Sequence, residues 1–261
     1  MSGVDVARLR REAHERAVGR PRRPFAGTVT DERHDGVPMR RYAPTTTAAD
    51  GTGLVFLHGG FGLFGDLDLQ DGYCRQAAQT LGVVVLAVDY RLTPEASLDD
   101  SVADALAGLE ALAATGCSRI VLAGDSAGGA VARLAAGRAA HRPAGLLLTN
   151  PNLDLTLGAY DDTLPGGPGR ELSEYAFRSW ARVTDLADAP HLEGSATGLP
   201  PTLVVVGSLD SLLPEARTFA AVCERDGVEC RLEVLDGAAH GFVGTERADE
   251  VLATAAGYFN L

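Results

Sequence analysis

The sequence predicts an α/β protein with a mainly parallel central sheet flanked by helices. Two observations support this prediction. Short apolar runs rich in β-branched residues recur along the chain, and segments with helical spacing separate most of them. Because the runs are apolar throughout, the strands they predict would be covered on both faces, as in parallel sheets. We expect residues 1–261 to form one domain, since this length can bury one substantial core.

Six apolar runs predict the central strands, and the segments between them predict helices. Ser97 is placed to cap a helix whose first turn carries Asp99 and Asp100. Residues 127–140 are rich in alanine and contain no proline, and residues 211–225 also have helical spacing. The predicted strands cover residues 53–57, 83–88, 119–123, 145–149, 202–206 and 231–235.

The first segment that interrupts this alternation is residues 1–24. It predicts a short arginine-rich helix with Val6, Leu9, Ala13 and Ala17 on one side. A proline-flanked pair of arginines then ends the helix, because proline cannot continue it.

The second interruption is residues 152–200. They combine a Pro/Gly-rich loop with a helix predicted over residues 171–185, which carries Phe177 and Trp180 as exposed aromatic side chains. An insertion between two sheet strands often covers an active site. We therefore expect residues 1–24 and 152–200 to form a small helical cap, with an ordinary surface excursion as the alternative.

Charge and composition exclude several classes of partner and chemistry. The 23 basic and 35 acidic residues leave a net charge of -12, which repels nucleic acid and acidic membrane surfaces. A small neutral substrate is expected instead. All the basic residues are arginine, and without lysine the chain cannot form a Schiff base, a Walker A phosphate contact or a Ser-Lys pair.

The cysteines and the N-terminus give further expectations. Cys74, Cys117, Cys223 and Cys230 show no C-x-x-C spacing, so neither a zinc ribbon nor a redox dithiol is indicated, and we expect no metal or cofactor. The N-terminus is charged where a signal peptide would be apolar, and no run of 18 apolar residues occurs. We therefore expect a cytoplasmic protein.

The strongest chemical motif is Gly-Asp-Ser-Ala-Gly at residues 124–128, between a predicted strand and a predicted helix. Small residues at this junction allow a sharp turn that lifts the hydroxyl of Ser126 out of the sheet. The same turn places the amide of Ala127 at a helix N-terminus, where it favours negative charge. The context predicts Ser126 as a nucleophile.

A serine nucleophile needs a base and a group that orients the base. Asp210 ends one predicted strand, and His240 lies in the turn after the next, so both are expected at the sheet edge that carries Ser126. The alternative role for Asp210 is capping the following helix, in which case Glu215 or Asp236 would orient the histidine.

The remaining histidines are assigned other roles. His14, His34 and His141 lie in polar or helical surroundings typical of solvated surface residues. His191 lies in the predicted cap. His58 precedes the glycine-rich loop, and we interpret it as a structural support for that loop.

The loop after His58 fits two functions. Gly60, Gly62 and Gly65 form a G-x-G-x-x-G pattern after a predicted strand, and Asp89 ends the next strand, as in dinucleotide-binding domains. A dinucleotide loop would open a helix directly, whereas this one leads into a predicted loop. The other function is an oxyanion hole, which the downstream serine, aspartate and histidine favour.

Five motifs in this order resemble the hormone-sensitive-lipase-like branch of the α/β-hydrolases, which includes bacterial acetyl esterases and carboxylesterases. The resemblance covers the chain from about residue 53 onwards. The motifs are H-G-G-F-G-L-F-G-D at residues 58–66, D-Y-R-L-T-P-E at 89–95, G-D-S-A-G-G at 124–129, L-P-P-T-L-V-V-V-G-S-L-D at 199–210 and H-G-F at 240–242.

This resemblance implies an α/β-hydrolase fold and a serine esterase that acts on small or medium acyl esters without a cofactor. Its triad would be Ser126, Asp210 and His240. The implied substrate is a small-molecule ester, and a homodimer is one candidate assembly. A specialised biosynthetic enzyme on the same scaffold and a non-catalytic small-molecule binding protein are the alternatives.

The resemblance also implies the oxyanion donors, which by position are the backbone amides of Gly60, Phe61 and Ala127. The family usually has a third glycine or another small residue followed by an aromatic residue, whereas this chain has the reverse order, Phe61 followed by glycine. A β-carbon at that position restricts the backbone. The side chains expected to line the substrate pocket are Phe61, Phe64, Trp180 and Phe242.

Overall fold

The computed structural model describes residues 4–47 and 51–261, and strands alternate with helices through most of this range. The strands are β1 (Gly27–His34), β2 (Val37–Pro44), β3 (Thr52–Leu57), β4 (Val84–Val88), β5 (Arg119–Asp125), β6 (Gly145–Thr149), β7 (Thr202–Gly207) and β8 (Cys230–Leu235). The α-helices are α1 (Val6–Val18), α2 (Asp71–Leu81), α3 (Leu98–Ala113), α4 (Ala127–Arg138), α5 (Arg170–Trp180), α6 (Leu213–Arg225) and α7 (Ala248–Phe259).

The strands form one sheet in the order β1-β2-β4-β3-β5-β6-β7-β8. The β1–β2 and β2–β4 pairs are antiparallel, and every other pair is parallel, which confirms the predicted sheet type. Each of the six predicted runs coincides with one of β3 to β8 to within two residues at each end. The sequence did not delimit β1 and β2, because β1 is largely exposed, β2 is mostly half-buried, and neither contains a continuous apolar run.

The parallel register aligns the carboxyl ends of the central strands. Leu57 of β3 pairs with Gly124 of β5, and Thr149 of β6 pairs with Asp125 of β5. Gly207 of β7 pairs with the last residue of β8. The loops that follow these strands therefore emerge at one edge of the sheet, where ligands bind in open α/β sheets.

Apolar side chains cover both faces of the sheet. Helices α3, α4, α5 and α6 contribute to the cluster on one face, and α2 and α7 contribute to the cluster on the other. Among residues 4–47 and 51–261, none of the helices combines the length and the apolarity that crossing a membrane requires.

The N-terminal helix α1 presents the side that the sequence predicts. Ala13 and Ala17 are buried, and Val6 and Leu9 are half-buried. The side chain of Asp5 accepts a hydrogen bond from a first-turn amide and caps the helix. The side chains that α1 buries are therefore both small.

Helix α5 differs from its prediction in length and in burial. The predicted helix over residues 171–185 ends at Trp180, because Arg182 takes a left-handed conformation with φ +58° that breaks the helix. Phe177 and Trp180 are fully buried, which corrects their expected exposure. The indole of Trp180 donates a hydrogen bond to the hydroxyl of Ser101 in α3.

The start of α3 provides a test of local stability. Ser97 accepts a hydrogen bond from the amide of Asp100, and the carboxylate of Asp100 accepts from the amide and the hydroxyl of Ser97, which completes a capping box. We expect Ser97→Ala to lower the free energy of unfolding by about 1 kcal/mol in urea titrations. Ser97→Thr keeps the cap and is the matched control; an equal loss in both variants would contradict a capping role.

Candidate active site

Ser126 lies in a strained turn between β5 and α4. Its φ of +54° and ψ of -118° are unusual for a residue with a β-carbon. Its amide donates to the carbonyl of Thr149, and its carbonyl accepts from the amide of Asn152. A β-carbon at Gly124 would collide with the carbonyl of Gly128, and one at Gly128 would collide with the last carbonyl of β3. The small residues of the motif are therefore required by close backbone packing.

The three predicted triad residues form a continuous chain of hydrogen bonds. Nε2 of His240 lies 2.9 Å from Oγ of Ser126, and Nδ1 of His240 lies 2.8 Å from Oδ2 of Asp210. The carboxylate of Asp210 accepts a hydrogen bond from Nδ1–H, which leaves Nε2 free to accept the hydroxyl proton of Ser126. The other oxygen of Asp210 accepts from the amide of Leu212, so this carboxylate also holds the turn that leads into α6.

The environment of His240 acts on its pKa in two directions. Burial lowers the pKa, because it penalises the imidazolium, while the hydrogen bond and charge of Asp210 raise it. The charge of Asp125 adds to the effect of Asp210, and the pKa of His240 is raised overall. Asp210 therefore stabilises the protonated imidazole that proton transfer from Ser126 would create.

Gly166, in the 152–200 insertion, holds the turn that carries His240. The amide of His240 donates to the carbonyl of Gly166, and the amide of Gly166 donates to the carbonyl of Leu209. A β-carbon at Gly166 would lie 2.7 Å from the β-carbon of Ala239, so only glycine fits this contact. The Pro/Gly-rich composition indicated a loop here, but its contact with the triad depends on long-range packing.

The two alternative acids lie elsewhere. Both carboxylate oxygens of Glu215 accept backbone amides, from Leu153 at 3.0 Å and from Asp154 at 2.9 Å. Burial raises the pKa of Glu215 well above its usual value. Asp236 is exposed. In the part of the chain that the structure describes, Asp210 is the carboxylate that contacts the triad histidine.

The glycine-rich loop packs directly against the serine turn. A β-carbon at Gly59 would lie 3.2 Å from the β-carbon of Ser126. Gly60, Phe61 and Gly62 all have positive φ, at +124°, +61° and +71°. For Phe61 this conformation costs about 1–2 kcal/mol, so neighbouring contacts must hold it.

Hydrogen bonds to the carbonyls of this loop set the direction of its amides. His58 donates through Nδ1 to the carbonyl of Gly59, and the amide of Leu63 donates to the carbonyl of Gly60. In a trans peptide the N–H points away from the preceding C=O. The amides of Gly60 and Phe61 therefore point away from these partners, which leaves both available as oxyanion donors.

Ala127, the third predicted oxyanion donor, is the first residue of α4 and is fully buried. The first four amides of an α-helix have no acceptor within the helix, and the helix dipole adds positive potential there. The position of Ala127 next to Ser126 therefore suits stabilisation of a negatively charged oxygen.

His58 supports the loop in its neutral form. It is fully buried, and burial lowers its pKa. Its ring stacks on Tyr90 with centroids 4.4 Å apart, and the hydroxyl of Tyr90 donates to the carbonyl of His58. These contacts agree with the structural role predicted for His58.

A polar network that the sequence did not indicate joins the loop to the serine turn. The amide of Gly59 donates to the side chain of Gln70, whose NH₂ donates to Asp125 at 2.7 Å. The second oxygen of Asp125 accepts from the hydroxyl of Thr149. Asp125 occupies a variable position of the G-x-S-x-G pattern, so the pattern carries no signal for its role.

Packing against helix α5 explains why Phe61 precedes Gly62 in this chain. A β-carbon at Gly62 would lie 2.8 Å from the indole of Trp180. An aromatic side chain at position 62 has no room while the indole occupies this space. The ring at position 61 instead packs 5.8 Å from the ring of Phe64, and both rings are half-buried.

The predicted substrate pocket requires a correction. Trp180 has 0% exposure and Phe242 has 3%, so neither offers a surface to a ligand in this conformation. Phe242 also belongs to the apolar cluster shared with α2 and α7. Phe61 and Phe64 keep accessible surface and stay candidates for the pocket.

The glycine loop does not have the geometry of a dinucleotide-binding turn. Helix α2 begins at Asp71, well after Gly65, and the intervening residues form turns. A dinucleotide loop would open its helix directly, so that the helix N-terminus faces the pyrophosphate. This observation favours the oxyanion function.

Three groups of described side chains place histidine and carboxylate atoms close enough to hold a metal ion. In each of them the histidine already pairs with a carboxylate, and His14 and His191 are both exposed. None of the groups includes a triad residue. The groups are His14, Asp66 and Asp68; His34, Asp35 and Glu110; and Asp154, His191 and Glu193.

Comparison with known proteins shows the family to which this chain belongs. A family model described as the alpha/beta hydrolase fold matches residues 54–244, a range that contains all three triad residues. The chain belongs to this α/β-hydrolase family. The predicted fold class is thereby confirmed.

Individual relatives agree with this membership. The chain is 30% identical over 268 aligned positions to the esterase LipI of Mycobacterium tuberculosis, covering 93% of this chain and 82% of LipI. It is 31% identical over 244 positions to the ethyl acetate hydrolase of Pseudomonas putida, covering 83% and 76% of the two chains. A solved hormone-sensitive lipase from a metagenome library is 26% identical, covers 99% and 92%, and has a TM-score of 0.86. These relatives confirm the predicted resemblance and the predicted class of enzyme, a carboxylic-ester hydrolase.

The role of Asp210 predicts a specific change in pH dependence. Because His240 must be neutral to accept a proton, kcat/KM should fall as the pH drops below the pKa of His240. Asp210 raises that pKa, so Asp210→Asn should move the acidic limb to lower pH and reduce the plateau by up to ~10⁴-fold. The control Asp236→Asn should change neither quantity. A mild loss with an unmoved limb would show that another carboxylate orients the histidine.

Proposed function

We propose that this protein hydrolyses small-molecule carboxylic esters with small or medium acyl groups through a covalent acyl-enzyme on Ser126. The observation that carries the proposal is the chain of hydrogen bonds from Ser126 through His240 to buried Asp210. The relatives of this chain include proteins named as an ethyl acetate hydrolase and an acetyl-hydrolase, which supports a substrate with a short acyl group.

In the acylation step, Oγ of Ser126 attacks the ester carbonyl carbon while Nε2 of His240 takes the hydroxyl proton. The tetrahedral intermediate carries its negative charge on the former carbonyl oxygen. The amides of Gly60, Phe61 and Ala127 donate to that oxygen. The imidazolium then protonates the leaving alcohol as its C–O bond breaks.

In the deacylation step, water replaces the alcohol. His240 removes a proton from the water, and the resulting nucleophile attacks the acyl carbon through a second tetrahedral intermediate. The bond to Ser126 breaks, and the imidazolium returns a proton to Oγ. Asp210 stays ionised throughout and stabilises the imidazolium in both steps.

We propose that residues 4–24 and 152–200 form a cap beside the glycine loop; residues 1–3 of the predicted cap segment lie outside the described residues. The proposal is supported by His14 of α1, which pairs with Asp66 at 2.6 Å, and by Trp180 of α5, against which Gly62 packs.

The nucleophile assignment has a direct test. Ser126→Ala should abolish hydrolysis of p-nitrophenyl acetate, with a loss of up to ~10⁶-fold in kcat, because the covalent route is removed. A fluorophosphonate probe should label the wild-type protein on Ser126 and leave the variant unlabelled. Ser173→Ala removes a buried hydroxyl of α5 that donates to the carbonyl of Gly169; it is the control and should be labelled normally. Esterase activity that survives in Ser126→Ala would contradict the proposal.

The ring of Phe61 predicts a change in acyl-group selectivity. Phe61→Gly keeps the backbone amide and removes the ring, so activity on the acetate ester should fall far less than the ~10²–10³-fold that loss of an oxyanion donor costs. The hexanoate-to-acetate ratio of kcat/KM should rise as space opens. Phe61→Ala removes the ring but keeps a β-carbon at positive φ, so it should share the new selectivity and be less stable than Phe61→Gly. Loss of all activity in both variants would show that the ring itself is needed for catalysis.

A further inference from the structure

We propose that Arg10, in the N-terminal helix α1, is a positioning residue for the oxyanion hole. Its guanidinium donates from Nε to the carbonyl of Leu63 at 2.8 Å and from Nη2 to the carbonyl of Thr93 at 2.9 Å. Both η nitrogens also donate to the carboxylate of Glu95. The inference rests on the function proposed above.

The two carbonyls that Arg10 holds belong to residues that in turn hold the glycine loop. The amide of Leu63 donates to the carbonyl of Gly60 at 2.9 Å, and the amide of Thr93 donates to the carbonyl of Gly62 at 2.8 Å. Arg10 therefore joins two separate supports of the loop, one within the loop and one from the segment after β4.

This arrangement fixes the direction of an oxyanion donor. The carbonyl of Gly60 and the amide of Phe61 belong to one trans peptide and point in opposite directions. A contact that holds the Gly60 carbonyl therefore also aims the Phe61 amide. Phe61 would relax from its positive φ if these supports loosened, because that conformation is unfavourable for a residue with a β-carbon.

Arginine is suited to this position in a way that lysine is not. A planar guanidinium can reach two carbonyls and one carboxylate at once, whereas an ammonium acts as a single point charge. The side chain of Arg10 is 33% exposed, and that of Glu95 is 65% exposed. Glu95 therefore holds the outer edge of the guanidinium, and the carbonyls of Leu63 and Thr93 form its inner contacts.

The same contacts couple the docking of α1 to catalysis. The buried side chains of α1 are the two alanines Ala13 and Ala17, and a helix of this length is marginal alone in water. Polar contacts such as those of Arg10 are therefore a large part of what holds α1 in place. Undocking of α1 would release the Leu63 carbonyl and loosen the oxyanion loop.

The test compares Arg10→Ala and Arg10→Lys with Arg8→Ala in the full-length protein. Arg8 is an exposed residue of the same helix whose side chain pairs only loosely with Glu12, at 3.8 Å. We expect Arg10→Ala to lower kcat on p-nitrophenyl acetate about 10- to 100-fold, part of what full loss of one donor costs, with KM changed less than about threefold. Arg10→Lys should be intermediate, and Arg8→Ala should match the wild type.

A second readout separates positioning from a merely structural role. A trifluoromethyl ketone forms a tetrahedral adduct with the serine, so its Ki should rise in Arg10→Ala by the same factor by which kcat/KM falls. A lower Tm with unchanged kcat and unchanged Ki would overturn the proposal. If Arg10→Ala does not fold, wild-type kcat and Ki in Arg10→Lys would also overturn it.

Failure of this inference is distinguishable from failure of the proposed function. Absent esterase activity in the wild type, or activity that survives in Ser126→Ala, refutes the function itself. A fully active Arg10→Ala enzyme refutes only the positioning role. Fluorophosphonate labelling of Ser126 in Arg10→Ala shows that the serine and histidine are still in place when kcat is measured.

Discussion

The turn at Ser126 is the constraint on which the site depends. A residue with a β-carbon is held at φ +54° between a buried strand and a helix, and it stays there because bonds from neighbouring strands and loops hold its backbone. Gly124 and Gly128 allow those neighbours to approach. The strain places the hydroxyl at the carboxyl edge of the sheet, where Asp210 and His240 also emerge.

The backbone of the glycine loop is also held in an unfavourable conformation. An oxyanion hole needs amides that face the developing oxyanion. The carbonyls of the same peptides therefore point the other way, where other groups bind them. His58 donates to the carbonyl of Gly59, and the amide of Leu63 donates to that of Gly60. The amide of Thr93 holds the carbonyl of Gly62 further along the loop. A positive φ at Phe61 is the cost of turning its amide in the required direction, and the surrounding hydrogen bonds offset it.

The inserted segment supports the site as well as flanking it. The carbonyl of Gly166 holds the amide of His240, and Trp180 takes the space beside Gly62. Glu215 fixes the start of the insertion through the amides of Leu153 and Asp154. Buried bonds of this kind are costly to break, so this part of the insertion is anchored to the sheet domain.

The sequence by itself determined the sheet type, six of the eight strands among the described residues, and the three residues of the candidate triad. Apolar runs and the G-x-S-x-G context are local patterns, and the order of parallel strands brings the residues after them to one edge. Strand β1 escaped prediction because its exposed residues carry no apolar pattern.

Only the tertiary structure decided which distant groups support these residues. The burial of Trp180 and Phe242, the brace from Gly166 and the contacts of Arg10 all join segments far apart in the chain. Their positions depend on how whole elements pack, and a local pattern of residue types does not contain that information. The nucleophile could therefore be predicted from its own neighbours, whereas the geometry of the oxyanion loop around it could not.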